Sequence, residues 1–258
     1  MLTSALQLYR KASAETLRGF RRSLWGVAFL IASFLVLLLL MMTVGRAGMA
    51  GGFVIGFAMA GLTGWYLSLL DVAVNDRRAV TRRDVQDTMG QYFMETISVM
   101  FVFFIPQFLL EMTMPEALWV LVPAACLAFN PVPELIYQSR SSSLELIKES
   151  AMFMQQNWPE WLFPHLLLGG ALSGLAYTLH GNWDPTWMLE AVQMFGPWFG
   201  FMQSGLWGFR LAGPSPLLGY VLFAAMFVLT HAFMIFRGHL YRHLKTSSRR
   251  GRAWQAQL

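Results

Sequence analysis

A chain of 258 residues that is 56% hydrophobic and only 13% charged cannot cover a soluble fold of its size, for which about 25% charged residues are usual. Its net charge of +5 would point to nucleic acid in a soluble protein. Beside long apolar runs, it is accounted for by basic loops at an anionic bilayer surface. The one cysteine, Cys126, lies inside an apolar run, which excludes an intrachain disulfide.

These properties define an all-α polytopic membrane protein: a helical bundle of six transmembrane helices, both termini cytoplasmic, with amphipathic helices at the interface. Residues 1–23 predict an interfacial basic helix. Leu2, Leu6, Tyr9, Leu17 and Phe20 fall near one stripe, and Arg10, Lys11, Arg18, Arg21 and Arg22 lie largely off it. The transmembrane domain then spans 24–237. Its first apolar run, 24–44, is too long for a signal-peptide core and is followed by no convincing small-x-small cleavage site, so it reads as a retained signal anchor. The second span, 52–74, carries Gly52, Gly56, Gly61 and Gly64. The first pair is a G-x-x-x-G motif, which lets helices approach closely within the bundle or across a dimer.

Spans three and four cover 93–110 and 117–137, the latter interrupted by Asn130-Pro131-Val132-Pro133-Glu134. In the loop 138–160, Ser142 and Glu145 form a capping-box pattern. Leu144, Ile147, Ala151, Met154 and Trp158 recur at helical spacing, and Pro159 ends the run. This predicts a separate helix along the inner leaflet or against the bundle, ahead of span five at 161–179. The next segment holds Trp183, Trp187, Trp198 and Trp207. It has a helix start at Asp184-Pro185, an interruption at Gly196-Pro197, and an apolar run through Phe199, Phe201 and Met202. It should lie in the outer interface, or dip in and return under cover of protein. Span six, 216–236, leads into a basic cytoplasmic tail, 238–258.

This count of spans sorts the charges. All but two of the 19 Lys and Arg fall on one side: those of residues 1–23, then Arg77, Arg78, Arg82, Arg83, Arg140, Lys148, Arg237, Arg242, Lys245, Arg249, Arg250 and Arg252. Arg46 and Arg210 alone fall opposite. The positive-inside rule puts both ends in the cytoplasm of a bacterial inner membrane, and adding or removing one span would scramble the alternation.

Ionisable groups in spans are functional candidates. Asp71, Glu95, Asn130, Glu134, Glu160, His165 and His231, with Asn157 beside them, sit near the inner ends of five spans. They could form a polar vestibule for a headgroup, a proton or a cation, or simply stand at headgroup level. No phosphate loop, H-E-x-x-H or G-x-S-x-G motif is present. Ser173 and His231 have the chemistry of an intramembrane dyad, but the sequence around Ser173, Gly169-Gly170-Ala171-Leu172-Ser173-Gly174, is that of a small-residue packing face. His239 and His243, spaced i, i+4, lack an evident third metal ligand. No catalytic, cofactor-binding or metal residues are therefore expected.

Asn130-Pro131-Val132-Pro133-Glu134-Leu135-Ile136-Tyr137, followed by a polar step, an amphipathic helix and Asn157-Trp158-Pro159-Glu160-Trp161, resembles the Yip-like and phosphodiesterase-associated bacterial polytopic membrane-domain proteins. That resemblance implies a role in membrane organisation or trafficking without a catalytic centre. The outline also resembles permeases of polysaccharide and drug exporters, with an interfacial first helix, six spans and short re-entrant helices before the last span. The long loop after span four departs from it.

The expected function is a non-enzymatic inner-membrane subunit supporting transport or membrane organisation. Its partners would be anionic inner-leaflet lipid and a protein docked on the cytoplasmic face, with no nucleic acid and no cofactor; a homo-oligomer is allowed. The alternatives are a permease subunit of an ATP-driven exporter and an intramembrane enzyme using the His and carboxylate cluster. Reporter fusions at Arg46, Met112 and Asp184 should read as outside, and fusions at Gln86, Ser142 and Leu258 as inside; one reversed site would break the six-span order.

Overall fold

The computed structural model describes residues 2–139, 141, 143–181, 190, 200–213 and 215–246. Arg140, Ser142, most of the Trp-rich segment (including Trp183, Asp184, Pro185, Trp187 and 196–199) and the basic residues beyond 246 lie outside them. The described residues form helices and turns, without a strand. We number the helices α1 (Leu2–Arg22), α2 (Leu24–Thr43), α3 (Gly48–Asp71), α4 (Arg82–Asp87), α5 (Phe93–Thr113), α6 (Leu118–Ala128), α7 (Val132–Gln138), α8 (Ser143–His180), α9 (Gly205–Ala212) and α10 (Pro216–Thr246). Six helical stretches are long and apolar enough to cross a membrane: Leu24–Thr43, Gly45–Asp76, Phe93–Thr113, Pro115–Gln138, Ser143–His180 and Pro216–Thr246.

The single α-helices α8 and α10 outrun a bilayer. At about 1.5 Å per residue, the 38 residues of α8 extend about 57 Å and the 31 of α10 about 46 Å, against an apolar thickness of about 30 Å. Pro159 therefore does not end a separate helix: 143–180 is one rod with Pro159 and Pro164 inside it. A proline removes one N–H and leaves the carbonyl four residues back without its helical donor. For Pro164 that carbonyl belongs to Glu160, and Tyr9 Oη donates to it at 2.9 Å. The helix survives the proline because another helix supplies the missing bond. Likewise, residues 238–246 of the expected tail continue α10 as far as Thr246, with Leu240, Tyr241 and Leu244 buried.

α1 lies against the extended ends of α8 and α10. Its buried positions are Leu8 and Ala12, continued by Glu15 and Gly19 on the same face. The expected stripe is divided accordingly. Tyr9 and Phe20 are half-buried, whereas Leu6 and Leu17 are 60% and 58% exposed, on a face flanked by Arg10 and Arg21. The helix thus packs with one face and offers a second apolar face to its surroundings.

At the chain break between α1 and α2, Ser23 Oγ donates to Gly19 O at 2.9 Å, and Val80 N–H donates to the freed Arg22 carbonyl at 2.9 Å. One helical step on, Gly26 lies against the His231 ring so closely that a Cβ would overlap it. The close approach is made by Gly19, Ser23 and Gly26, not by the G-x-x-x-G pair. Gly52 and Gly56 meet no described atom within 4 Å, whereas Gly64 abuts the Tyr92 and Phe93 backbone and Gly61 faces Phe93 at 3.8 Å. The expected packing role of the first pair within the bundle is thereby corrected: those glycines face outward.

Before the last span the described segment 200–213 starts deep among the helices. Phe201 and Met202 are fully buried, Phe201 at 5.3 Å from the Tyr66 ring and Met202 Sδ accepting from Thr63 Oγ1 at 3.7 Å. α9 then runs back antiparallel to α10, with Gly205 and Gly208 against Phe223 and Phe227. At its end His180 Nε2 donates to Arg210 O at 2.9 Å. Gly26→Val should lower the melting temperature in detergent by several degrees, because overpacking costs about 1–3 kcal/mol. Gly52→Ala, with nothing near its added methyl, should leave it unchanged.

Candidate functional site

The polar residues of the spans gather where the long helices leave the bundle, and they bond mainly to one another. At the Asn130–Pro133 break, Pro131 and Pro133 each lack an N–H, and the turn exposes the Asn130 carbonyl. Arg237 Nη2 donates to that carbonyl at 2.7 Å and to Glu134 Oε2 at 2.6 Å, both side chains fully buried. The guanidinium also lies over the Trp161 ring at 5.2 Å, a cation–π contact. Trp161 Nε1 donates to Asn130 Oδ1 at 2.9 Å, and His165 Nδ1 donates to Trp161 O at 2.9 Å. One lattice thus joins α7, α8 and α10. A buried charge tolerates this position only when paired and hydrogen-bonded.

His231 belongs to a second lattice. Its Nε2 approaches the Ser23 carbonyl at 2.8 Å and Ser23 Oγ at 3.0 Å, and its Nδ1 meets Tyr66 Oη at 2.8 Å. A carbonyl only accepts, which places the ring proton on Nε2 and makes Tyr66 the donor to Nδ1. Ser173 is buried on α8 and is not among these partners. Both ring nitrogens are occupied, and the hydroxyl that a dyad would activate stands elsewhere.

Asp71 forms a third group, accepting from Asn75 Nδ2 at 2.6 Å and from Tyr92 Oη at 2.8 Å. Burial, and then the Asp71 carboxylate, push the Tyr92 phenol well above its ordinary value. Glu95 and Glu160 are half-buried at the starts of their spans. Of the seven candidates, then, Asn130, Glu134 and His165 meet around Arg237, and His231 and Asp71 lie in separate groups. Between α3 and α5, Arg78 clamps Asp84 through both oxygens, and Thr81 completes a capping box. The Arg78 guanidinium foremost, then Thr81, hold the Asp84 carboxyl below the usual range against the opposing effect of burial.

Three participants escaped the sequence reading. Arg237 counts there as a basic anchor, but it is the buried cation of the lattice. The available signal was the recurrence of Phe233, Phe236, Leu240 and Leu244, which carries a helical apolar face past the arginine. Ser23 and Tyr66 had no such signal, because their partner lies far away in the chain.

A fourth group centres on Glu15 of α1. Its Oε2 lies 3.0 Å from Arg242 Nη2, 3.1 Å from His239 Nδ1 and 3.3 Å from His243 Nε2, and Arg77 approaches Oε1 at 3.8 Å. Burial raises this carboxyl, but His239, His243, Arg242 and Arg77 together hold it below its ordinary value. His239 and His243 thus share a carboxylate. Among the described residues no group of His, Cys, Asp or Glu has an arrangement that could hold a metal.

Comparison of the chain with protein-family models, curated proteins and solved structures finds no match. Glu134→Ala should destabilise the protein by about 3–5 kcal/mol, since it strands a buried guanidinium. Glu134→Leu combined with Arg237→Met should recover much of that loss. Melting curves of the three variants in one detergent decide it; a double variant no better than the single would assign the pair another role.

Proposed function

We propose that this chain is a non-catalytic, multi-pass subunit of the bacterial inner membrane, with both termini in the cytoplasm, that supports transport or membrane organisation together with a protein partner. The observation that carries this reading is the bonding of His231 and Glu134. The groups best suited to acid–base work are occupied in joining helices: His231 by Ser23 and Tyr66, Glu134 by Arg237. A general base must reach a substrate proton or a nucleophile, and these face the protein's own backbone and side chains.

Other features support the reading. Arg46 follows α2, Arg210 lies on α9, and the remaining described Lys and Arg gather around α1, the 77–83 segment and the far ends of α8 and α10, the distribution that the positive-inside rule associates with the cytoplasm. α5 and α6 present Phe104, Ile105, Leu109, Trp119 and Val120 outward, Trp119 at 83% exposure. That surface suits lipid or a membrane partner. The resemblance to Yip-like and phosphodiesterase-associated membrane-domain proteins points the same way.

The exporter-permease reading has one specific observation in its favour: the segment 200–213 starts against Tyr66 and runs back as α9 before the last span. Crosslinking of intact membranes followed by mass spectrometry separates the two. A soluble ATPase crosslinked to 75–92 or 138–160 supports the permease, and a different stoichiometric partner supports the organising subunit. A monomer without a stoichiometric partner in mild detergent would remove the basis for both.

A further inference from the structure

The Glu15 group borders a cleft that the bundle itself does not use. Arg18, Gly19 and Arg22 of α1, Ala73 and Arg77 from the end of α3 and the turn beyond it, and His239 of α10 line it together with Glu15. Its three guanidinium groups come from two separate elements. Arg22 Nη1 donates to the Arg77 carbonyl at 3.1 Å, a bond available because Arg77 adopts the left-handed conformation, φ 54°, at the end of the π-helical turn Val72–Asp76. Such backbone is uncommon for a residue with a Cβ, and here it turns the Arg77 carbonyl toward α1. Arg18 Nε donates only within its own helix, to Ala14 O at 3.3 Å.

A second observation is independent of these charges. His239 is 2% exposed, and its Nε2 has no hydrogen-bond partner among the described residues. A buried polar atom without a partner is costly. Its Nδ1 stands 3.1 Å from Glu15 Oε2, an acceptor, and 3.1 Å from Arg242 Nη2, a donor that Glu15 Oε2 also engages at 3.0 Å. A charged ring donates from Nδ1 to Glu15 and from Nε2 into the cleft, and a neutral ring that accepts Arg242 at Nδ1 also carries its proton on Nε2. An anion in the cleft selects these two forms over the neutral ring that donates to Glu15. Nε2 points toward Gly19, where an added Cβ would stand 3.6 Å away; the glycine leaves that approach open.

We infer that this cleft binds a phosphate monoester group, with Arg18, Arg22 and Arg77 meeting its oxygens and His239 Nε2–H donating at its floor. Charge favours a monoester. With Arg242 counted beside Glu15, the arginines at the cleft exceed that carboxylate by three positive charges, and a phosphate monoester carries about −1.5 to −2 at neutral pH. A carboxylate or a phosphodiester carries one negative charge and answers less of that excess. Glu15, the one anion in the cleft, is already engaged by Arg242, His239 and His243 on its α10 side. The group could belong to a soluble phosphomonoester or to a lipid such as phosphatidic acid, and the chemistry of the cleft is the same for both.

The test uses the full chain in nanodiscs. In phosphatidylcholine discs, inorganic phosphate is titrated while the His239 imidazole ¹⁵N shifts are followed. In a second arm, discs containing phosphatidic acid are compared with discs containing phosphatidylserine at equal charge. Arg18→Gln with Arg22→Gln should weaken binding at least about tenfold, the loss expected from removing charge-assisted hydrogen bonds. Arg18→Gln alone touches no bond between elements and should weaken it in the same direction. Arg10→Gln with Arg21→Gln removes the same charge from another face of α1 and should have little effect. Saturable phosphate binding that moves the Nε2 signal supports a soluble ligand, and a response to phosphatidic acid alone supports a lipid. No saturable response in either arm, or equal weakening by the two double variants, overturns the inference.

Discussion

The pairing of Arg237 with Glu134 is the constraint around which the rest of the bundle is arranged. A guanidinium cannot lose its water here unless other groups answer it, and the answers come from two other spans: a carboxylate and a backbone carbonyl from the broken fourth span, and an indole face from α8. Such a pair adds little stability relative to an apolar replacement. Its effect is on register, because α10 cannot slide or rotate against α7 and α8 without stranding a charge. Arg237 lies about 32 Å along α10 from Pro216 at about 1.5 Å per residue, a length comparable to an apolar slab about 30 Å thick.

The prolines follow the same logic of displaced bonds. Inside an apolar bundle a carbonyl that loses its helical donor must find another. At Glu160, four residues before Pro164, the donor is Tyr9. The Asn130 carbonyl stands in the break ahead of α7, and there the donor is Arg237. Each irregularity is thus a point of attachment for a different helix: the proline inside α8 for α1, and the break before α7 for α10.

The apolar runs made the first four spans legible in the sequence to within a few residues, because twenty successive apolar residues have few other uses; α8 starts well before the expected span five, and α10 ends well beyond the expected span six. The band of polar residues was legible too, since ionisable groups are conspicuous in such runs. What was not legible is which of them meet. His231 and Ser23 are 208 residues apart in the chain, and nothing local to either announces the other. Pro159 was misleading because the rule that proline ends a helix assumes that no outside donor repairs it. Arg237 was misleading because a charge census treats position as topology, and a helix that overshoots the membrane places the same residue in a protein interior. Gly52 and Gly56 match a packing motif in sequence and pack on nothing described, whereas Gly19, Ser23 and Gly26 match it loosely and make the contact.

The long separation between α1 and α10 also has a consequence in time. Ribosomes add about 5–20 residues per second, so Ser23 waits roughly 10–40 s for the histidine it will bond, and Glu15 slightly longer for Arg242, 227 residues away. Through that interval α1 has none of its α10 partners, and a lone helix of its length is marginal in water. Its outward leucines, Leu6 and Leu17, take no part in the finished interior, so the face they form is the same before α10 arrives and after. The two apolar faces of α1 thus differ in timing as well as in position: one waits for a distant partner, and the other waits for nothing in the chain.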